Sequence, residues 1–331
     1  MKRARTITTQ ERSVRRHPAE VDRLNSLPLQ LQGRLRVNPL SGFECVKTDD
    51  KRKYFTNFVK LSTGSSGSVF SADVKPAGRT LDPTLPPKVA IKEIQVDQER
   101  MVPLLLNEIA LLKAIRTPHT IAYYGCYIKT DTLYLVMELV EGEDLFNRFM
   151  TIALTPVQKL WIAREIAIGI TEIHAQGVAH RDIKLENVMI SDTGGLKIID
   201  FGLSCGKKDM STHACRTLTI GTPGYIDPKL KDNRLASLQA SDWWAYGQMM
   251  AILFTEKPLW APDAGYTQFD PTDFQPVMEE LHRDPSIPLN ELPKILEDLE
   301  WVKKILLNLT DPGREQRARP GQVEIMAALN I

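Results

Sequence analysis

The 331-residue sequence has no long hydrophobic run. Its longest nearly apolar stretch, Trp243 to Phe254, contains Gln248 and is shorter than the roughly 20 residues a helix needs to cross a bilayer. No transmembrane helix is expected. Cysteine is scarce: Cys45, Cys126, Cys205 and Cys215, with no CxxC spacing, which argues against a redox pair or a zinc ribbon. Cys205, His213 and Cys215 lie close in sequence, but no fourth ligand has matching spacing for a metal site. The favoured reading is reduced thiols in a loop, in a reducing compartment, cytoplasmic or nuclear. Neither sign of charge dominates, with 42 basic against 41 acidic residues and a net charge of +1. The start, MKRARTITTQER, is basic but has no apolar stretch behind it, so it does not read as a secretory signal. No internal repeat is visible. Apolar residues make up 43% and charged residues 25%. That composition excludes a chain disordered throughout, a collagen-like repeat or a disulfide-dense miniprotein. The length suggests two domains or one bilobal unit, ample for a core without cross-links or metal.

The charge is unevenly placed. Residues 1 to 36 hold nine Lys or Arg against three acids, a local charge of +6, while the remainder carries −5. Such a tail suits nucleic acid, an anionic membrane or an import signal, or else is a solvated terminus. No aromatic residue is interleaved to stack on bases, which weakens the nucleic-acid case.

Beyond the tail, Phe55 to Leu61 and Val69 to Val74 flank a Gly/Ser-rich turn and predict a hairpin. Residues 76 to 88 contain four prolines and predict a loop. Val89 to Ile94 predicts a strand. Met101 to Ile115 predicts a helix, with Leu105, Ile109 and Leu112 at helical spacing. Two strands follow near Ile121 to Ile128 and Leu133 to Glu138. After Gly142 the pattern becomes helical. Thr155 is a candidate N-cap before Pro156, opening a long helix that stops near Gly177. Ser241 to Thr255 is apolar on most sides, hence a buried helix, and Pro320 opens a last one. A small β-rich lobe and a larger helical lobe are expected, with a cleft between them.

Several residues in this frame carry chemistry. In the turn Leu61-Ser62-Thr63-Gly64-Ser65-Ser66-Gly67-Ser68-Val69, small residues let backbone N–H groups approach phosphate oxygens; alone, the stretch is equally a plain turn. Lys92 ends the apolar strand Val89-Ala90-Ile91-Lys92. Glu108 lies on the following helix among Leu104, Leu105, Leu111 and Leu112, where an acid needs a partner. Lys92 is the obvious one, in a functional site or an ordinary salt bridge. The segment His180-Arg181-Asp182-Ile183-Lys184-Leu185-Glu186-Asn187 precedes a short strand, and Asp200-Phe201-Gly202 follows. Asn and Asp oxygens suit Mg²⁺, so Asn187 and Asp200 are candidate ligands, which leaves Asp182 free to accept a proton; each alone could equally cap nearby backbone. His180 reads as a packing residue.

Taken in order, the Gly-rich turn, Val-Ala-Ile-Lys, the helix Glu, His-Arg-Asp with Asn, and Asp-Phe-Gly resemble the eukaryotic-type protein kinase family. Gly221-Thr222-Pro223-Gly224-Tyr225 and Asp242-Trp243-Trp244-Ala245-Tyr246-Gly247 are similar to later motifs of that family. The resemblance covers roughly residues 55 to 330. It implies an α+β, bilobal protein kinase-like fold, with a small β-rich N-lobe over 53–140 and a larger helical C-lobe over 141–331, preceded by the basic tail over 1–52, expected to be flexible. It implies ATP and Mg²⁺ as cofactors and a protein substrate. Leu61 to Val69 would cover ATP, with Val69 and Ala90 against adenine, Met137 as gatekeeper, and backbone groups of Glu138 and Val140 bonding the base. Lys92, oriented by Glu108, would hold the α- and β-phosphates. Asp182 would accept the substrate proton, Lys184 would neutralise the transferred phosphate, and Asn187 and Asp200 would bind Mg²⁺.

Lys184 and Thr222 resemble the serine/threonine branch. Asp144 matches an acid that basophilic members keep for a substrate arginine; Ile252 stands where some keep a second acid. Ser62 replaces the first loop glycine, and Leu185 replaces a usual proline. Asp227-Pro228-Lys229 stands where the family has Ala-Pro-Glu, so Lys229 would face Arg319 in place of an acid. Arg181 before Asp182 is a pattern linked to activation by an upstream kinase that phosphorylates the following segment; the usual acceptor position holds Leu218, so either one of Ser211, Thr212, Thr217 and Thr219 serves or no such switch exists. The alternative is a pseudokinase acting as a nucleotide-binding or scaffold module.

Overall fold

The computed structural model describes residues 46–47, 51–64, 67–81, 83–96, 101–207, 215, 220–227, 235–261, 265–266, 270–284, 287–288 and 290–310. The final helix expected from Pro320, the Lys229–Arg319 pair, the four candidate phosphoacceptors, His213, and Ser65 and Ser66 of the turn lie outside the described residues.

Strand signals in the first third of the chain build one six-stranded sheet. Its strands are β1 (Val46–Lys47), β2 (Phe55–Gly64), β3 (Gly67–Val74), β4 (Lys88–Gln95), β5 (Tyr123–Lys129) and β6 (Thr132–Met137), in the order β1-β5-β6-β4-β3-β2. β1 joins β5 in parallel and every other pairing is antiparallel. Residues 46–47, within the expected tail, are thus an edge strand of this sheet, and Lys51–Lys53 form a 3-10 turn.

The two-residue period of a strand sorts the central side chains. Val89 and Ile91 pack with Tyr127, Tyr134 and Val136 on one face. Ile94, Leu133, Leu135 and Met137 fill the other, with Leu105, Ile109 and Leu112 of helix α2 (Met101–Ala114). Lys92 alternates with Ile91, so it shares the face that α2 covers. The proline-rich stretch is a correction to the expected loop: Pro76–Leu81 forms a short helix, α1. A proline at the first helical position loses no hydrogen bond, because that N–H has no intrahelical partner anyway.

The second part is helical, joined by short strands. β7 (Gly142–Asp144), α3 (Leu145–Thr151), α4 (Pro156–Ala175), β8 (Val178–Ala179), β9 (Val188–Ser191), β10 (Leu196–Ile198) and β11 (Cys205–Gly206) come first. α5 (Leu235–Thr255), β12 (Trp260–Ala261), β13 (Gly265–Tyr266), α6 (Gln275–Arg283) and α7 (Leu292–Thr310) follow. α4 starts as its sequence dictates: Thr155 caps Gln158 N and the Gln158 side chain returns to Thr155 N, a reciprocal capping box ahead of Pro156. α5 begins six residues earlier than its apolar run, at Leu235, and buries Trp244, Tyr246, Met249, Met250 and Leu253.

One apolar core runs from β6 and α2 into α4 and α5. Backbone stitches the two parts as well: Ile198 N donates to His119 O at 2.7 Å, and Thr120 bridges Ile198. A correction concerns the cysteines. Cys205 and Cys215 are joined by a disulfide, and among the described residues no cysteine is free. This overturns the expectation of reduced thiols and removes the support for a reducing compartment. Both sulfurs sit in a small buried cluster with Ala179 and Leu238, where apolar packing brings them together. No described helix is long and apolar enough to cross a membrane.

Candidate active site

Between the sheet and the helical part lies a cleft of about 920 Å³, at the upper end of small-molecule sites. Its roof is the β2–β3 hairpin. Leu61, Ser62, Thr63, Gly64, Gly67 and Val69 line it, and Ser68 does not. Gly67 has φ +129°, and a Cβ there would collide with the Glu93 carbonyl; only glycine lets β3 pass β4 so closely. Ala90 and Met137 lie opposite each other on β4 and β6, and both line the cleft. Glu138 and Val140 continue the lining. Glu138 N–H donates to Ala122 O at 2.8 Å, so its carbonyl is the backbone group that can serve a ligand. Its carboxylate takes Ala122 N at 3.0 Å and Lys197 at 3.1 Å, which ties this segment to β10.

At the back of the cleft, Lys92 Nζ lies 2.8 Å from Glu108 Oε1 and 3.1 Å from Asp200 Oδ1. These atoms come from β4, α2 and the segment after β10. Burial by itself pulls the ammonium down, but Glu108 and Asp200 together outweigh it and raise Lys92 above the ordinary lysine value. Burial likewise pushes the Asp200 carboxyl up; Lys92, His180 and the Gly202 N–H reverse this and hold it below the usual carboxylate range. Asp200 adopts φ +63°, rare for a non-glycine residue.

Beside this triad is a second cluster. Asp182 Oδ1 accepts from Thr222 N at 3.0 Å and Thr222 Oγ1 at 2.7 Å. Asp182 Oδ2 accepts from Asn187 Nδ2 at 2.9 Å and pairs with Lys184 at 3.2 Å. Lys184 also donates to Thr222 Oγ1 at 2.8 Å. The loop carrying these groups is fixed from below by Asp242 of α5, a buried carboxylate that accepts from His180 N at 2.8 Å, Arg181 N at 2.7 Å and the His174 ring at 2.8 Å. This accounts for the strained Arg181 at φ +69°. His180 is buried, with its ring 3.1 Å from Ile199 O.

Asn187 lines the cleft together with Lys92, Glu108 and Asp200, while its side chain bonds Asp182, which with Lys184 and Thr222 is not part of that lining. Its amide nitrogen donates to both the carbonyl and the carboxylate of Asp182, which leaves its oxygen for a cation. With Asp200, also lining the cleft, it offers two hard oxygen donors. Among the described residues no group of three or more His, Cys, Asp or Glu is suited to a metal. Two protein oxygens, with the remaining positions left to phosphate and water, fit Mg²⁺. Two other expected residues fall differently. Asp144 lines the cleft and caps α3, accepting Asn147 N at 2.9 Å, while Ile252 packs against the core. Thr222, for which sequence reading assigned no direct contact to the site, touches both Asp182 and Lys184; only tertiary folding brings residue 222 to residue 182.

A lysine locked between two carboxylates, a separate carboxylate–lysine–threonine cluster and a glycine-containing hairpin over one cleft define the protein kinase class of fold. A family model described as protein kinase domain matches residues 55–326. The chain belongs to the protein kinase domain family. The serine/threonine-protein kinase MST20 of Pyricularia oryzae is 28% identical over 209 residues, which is 63% of this chain and 22% of that protein. Serine/threonine-protein kinase PAK 4 of Mus musculus is 29% identical over 213 residues, 64% of this chain and 34% of that protein. Serine/threonine-protein kinase STE20 of Saccharomyces cerevisiae is 29% identical over 214 residues, 65% and 22%. The matched segment spans 22% to 34% of these relatives' own length.

Proposed function

We propose that the chain transfers the terminal phosphoryl group of ATP to serine or threonine hydroxyls of protein substrates. The observation that carries this reading is the convergence of Lys92, Glu108 and Asp200 beside Asp182, Lys184 and Thr222, with Asn187 between. The family generally uses ATP and Mg²⁺, and its serine/threonine members in STE20 and PAK 4 support the choice of acceptor.

In this reading adenine lies between Val69 and Ala90, and the Glu138 carbonyl and Val140 N–H bond its edge. Lys92 binds the α- and β-phosphates, held in place by Glu108. Asn187 and Asp200 hold Mg²⁺, which supplies positive charge to the phosphates. Asp182 orients the acceptor hydroxyl and takes its proton as the new P–O bond forms and the bond to the β-phosphate oxygen breaks. Lys184 faces the charge on the transferred group. Such a reaction asks the protein for alignment and charge rather than covalent help.

The test is transfer of labelled phosphate from Mg-ATP to a basic protein acceptor, beside Asp182→Asn. Loss of the proton acceptor is expected to lower kcat by about 10²- to 10⁴-fold. Equal signals from the two proteins, or none from the wild type while nucleotide still binds, would overturn the reading and favour a nucleotide-binding scaffold.

A further inference from the structure

Among the buried polar residues that the roles above leave unused are Asn107 and Ser204. Asn107 precedes Glu108 on α2 and is 6% exposed. Its Nδ2 donates to the Ser204 carbonyl at 2.9 Å, and its Oδ1 is buried without a partner. Ser204 is fully buried. Its N–H donates to Phe201 O at 3.1 Å, closing the turn that follows Asp200, and its Oγ donates to His180 O at 3.1 Å. His180 in turn receives Asp182 N on its ring at 3.3 Å. A continuous polar chain thus runs from α2, through the turn after Asp200, to the loop that carries Asp182.

Adjacent residues of a helix point about 100° apart. Glu108 holds Lys92 on one side, and Asn107 holds the Ser204 backbone on another. Two anchors in different directions fix the rotation of α2 about its axis, which one ion pair cannot do. The second anchor is tied to Asp200 by sequence and to Asp182 by hydrogen bonds. A Cβ at Gly202 would come within 3.5 Å of the Glu108 carboxylate, so α2 approaches this turn at Glu108 as well as at Asn107.

We propose that Asn107 and Ser204 are positioning residues for the reaction: they hold α2 so that Glu108 meets Lys92 only while the Asp200 turn and the Asp182 loop are seated. This inference rests on the kinase reading above. It assigns the two residues no contact with substrate. Their effect falls on how often Lys92, Asp200 and Asp182 are aligned together.

The test compares wild type, Asn107→Leu, Ser204→Ala and the double variant. Asn107→Leu keeps shape and volume but leaves the Ser204 carbonyl without its donor. The readouts are kcat/KM for Mg-ATP with a basic protein acceptor, adenosine affinity by calorimetry, and the folded fraction at the assay temperature. A buried group left unpaired corresponds to roughly a 5- to 100-fold change. Each single variant is expected to lose about that much kcat/KM while adenosine, which has no phosphates, binds as in wild type. The double variant should be no worse than the worse single one, since both break one chain. Full activity in either folded single variant, or losses that multiply in the double variant, would overturn the proposal. Should Asn107→Leu fail to fold, Ser204→Ala against wild type still decides between the two outcomes. A wild type without transfer activity overturns the kinase reading instead.

Discussion

A lysine side chain that enters an apolar interior loses the water around its charge, and the ammonium stays only where carboxylates replace that water. Lys92 is 7% exposed with Glu108 at 5%, so each needs the other. The pH signs are opposite for the two shifted members of the triad. Lys92 is raised, so its contribution to stability is complete below the unfolded lysine value and is lost as pH rises through the folded one. Asp200 is lowered, so its contribution is present above the unfolded aspartate value and is lost as pH falls through the folded one. Both operate between about pH 4 and 10. Lys92→Met leaves Glu108 buried without its cation. The expected cost at pH 8 is about 3–5 kcal/mol, shrinking on acidification because the Asp200 carboxyl, no longer held down by Lys92, is pushed up by burial and takes up a proton. Urea unfolding at pH 8 and pH 5 checks this; a gap between variant and wild type that is the same at both pH values contradicts it.

At the scale of elements, what could be read from sequence is what is local. Thr155-Pro156-Val157-Gln158 announces the start of α4 because cap, first-turn proline and returning glutamine sit within four residues. Lys92 and Glu108 were legible as partners because each sits in an apolar pattern that a lone charge cannot join. The segment 180–187 was legible as a unit for the same reason: its polar residues are contiguous. What was not legible depends on distant contact. Pro76–Leu81 was hidden because prolines mark loops more often than first helical turns. Asn107 has no pattern at all, since its partner is a backbone carbonyl 97 positions away.

The Cys205–Cys215 bond belongs with these, because two cysteines with a separation of 10 have no spacing that announces them; the cluster with Leu238 of α5 does. It ties β11 to the segment that leads toward Thr222. Closing a loop of this size stabilises by about 2–3 kcal/mol in the chain-entropy account. Without reductant, wild type is therefore expected to melt at a higher temperature than the variant carrying both Cys205→Ser and Cys215→Ser. Identical melting of the two proteins without reductant would contradict the bond.

Across the whole molecule, the lobes share one hydrophobic core, since Leu135 and Met137 of the sheet, Leu105 and Ile109 of α2, and Ile166 and Met250 of the helical part belong to a single buried cluster. The β5 approach and β10 are joined by backbone bonds, and His119 stands between Glu165 and Glu172 of α4 at 3.0 Å from each. The sheet can hardly melt while the helices stay intact, because melting would strip Leu105 and Ile109 from their partners on both sides. Calorimetry is therefore expected to show one transition with calorimetric and van't Hoff enthalpies in agreement. A nucleotide bound in the cleft contacts both parts and must shift that transition as a unit. At a free concentration 100 times its Kd, Mg-ATP adds about 2.7 kcal/mol by mass action, and the same addition to Lys92→Met should shift the transition less at equal concentration. Two resolved transitions, with only the first responding to nucleotide, would mean that the cluster is two cores in contact and that the cleft draws its stability from the sheet alone.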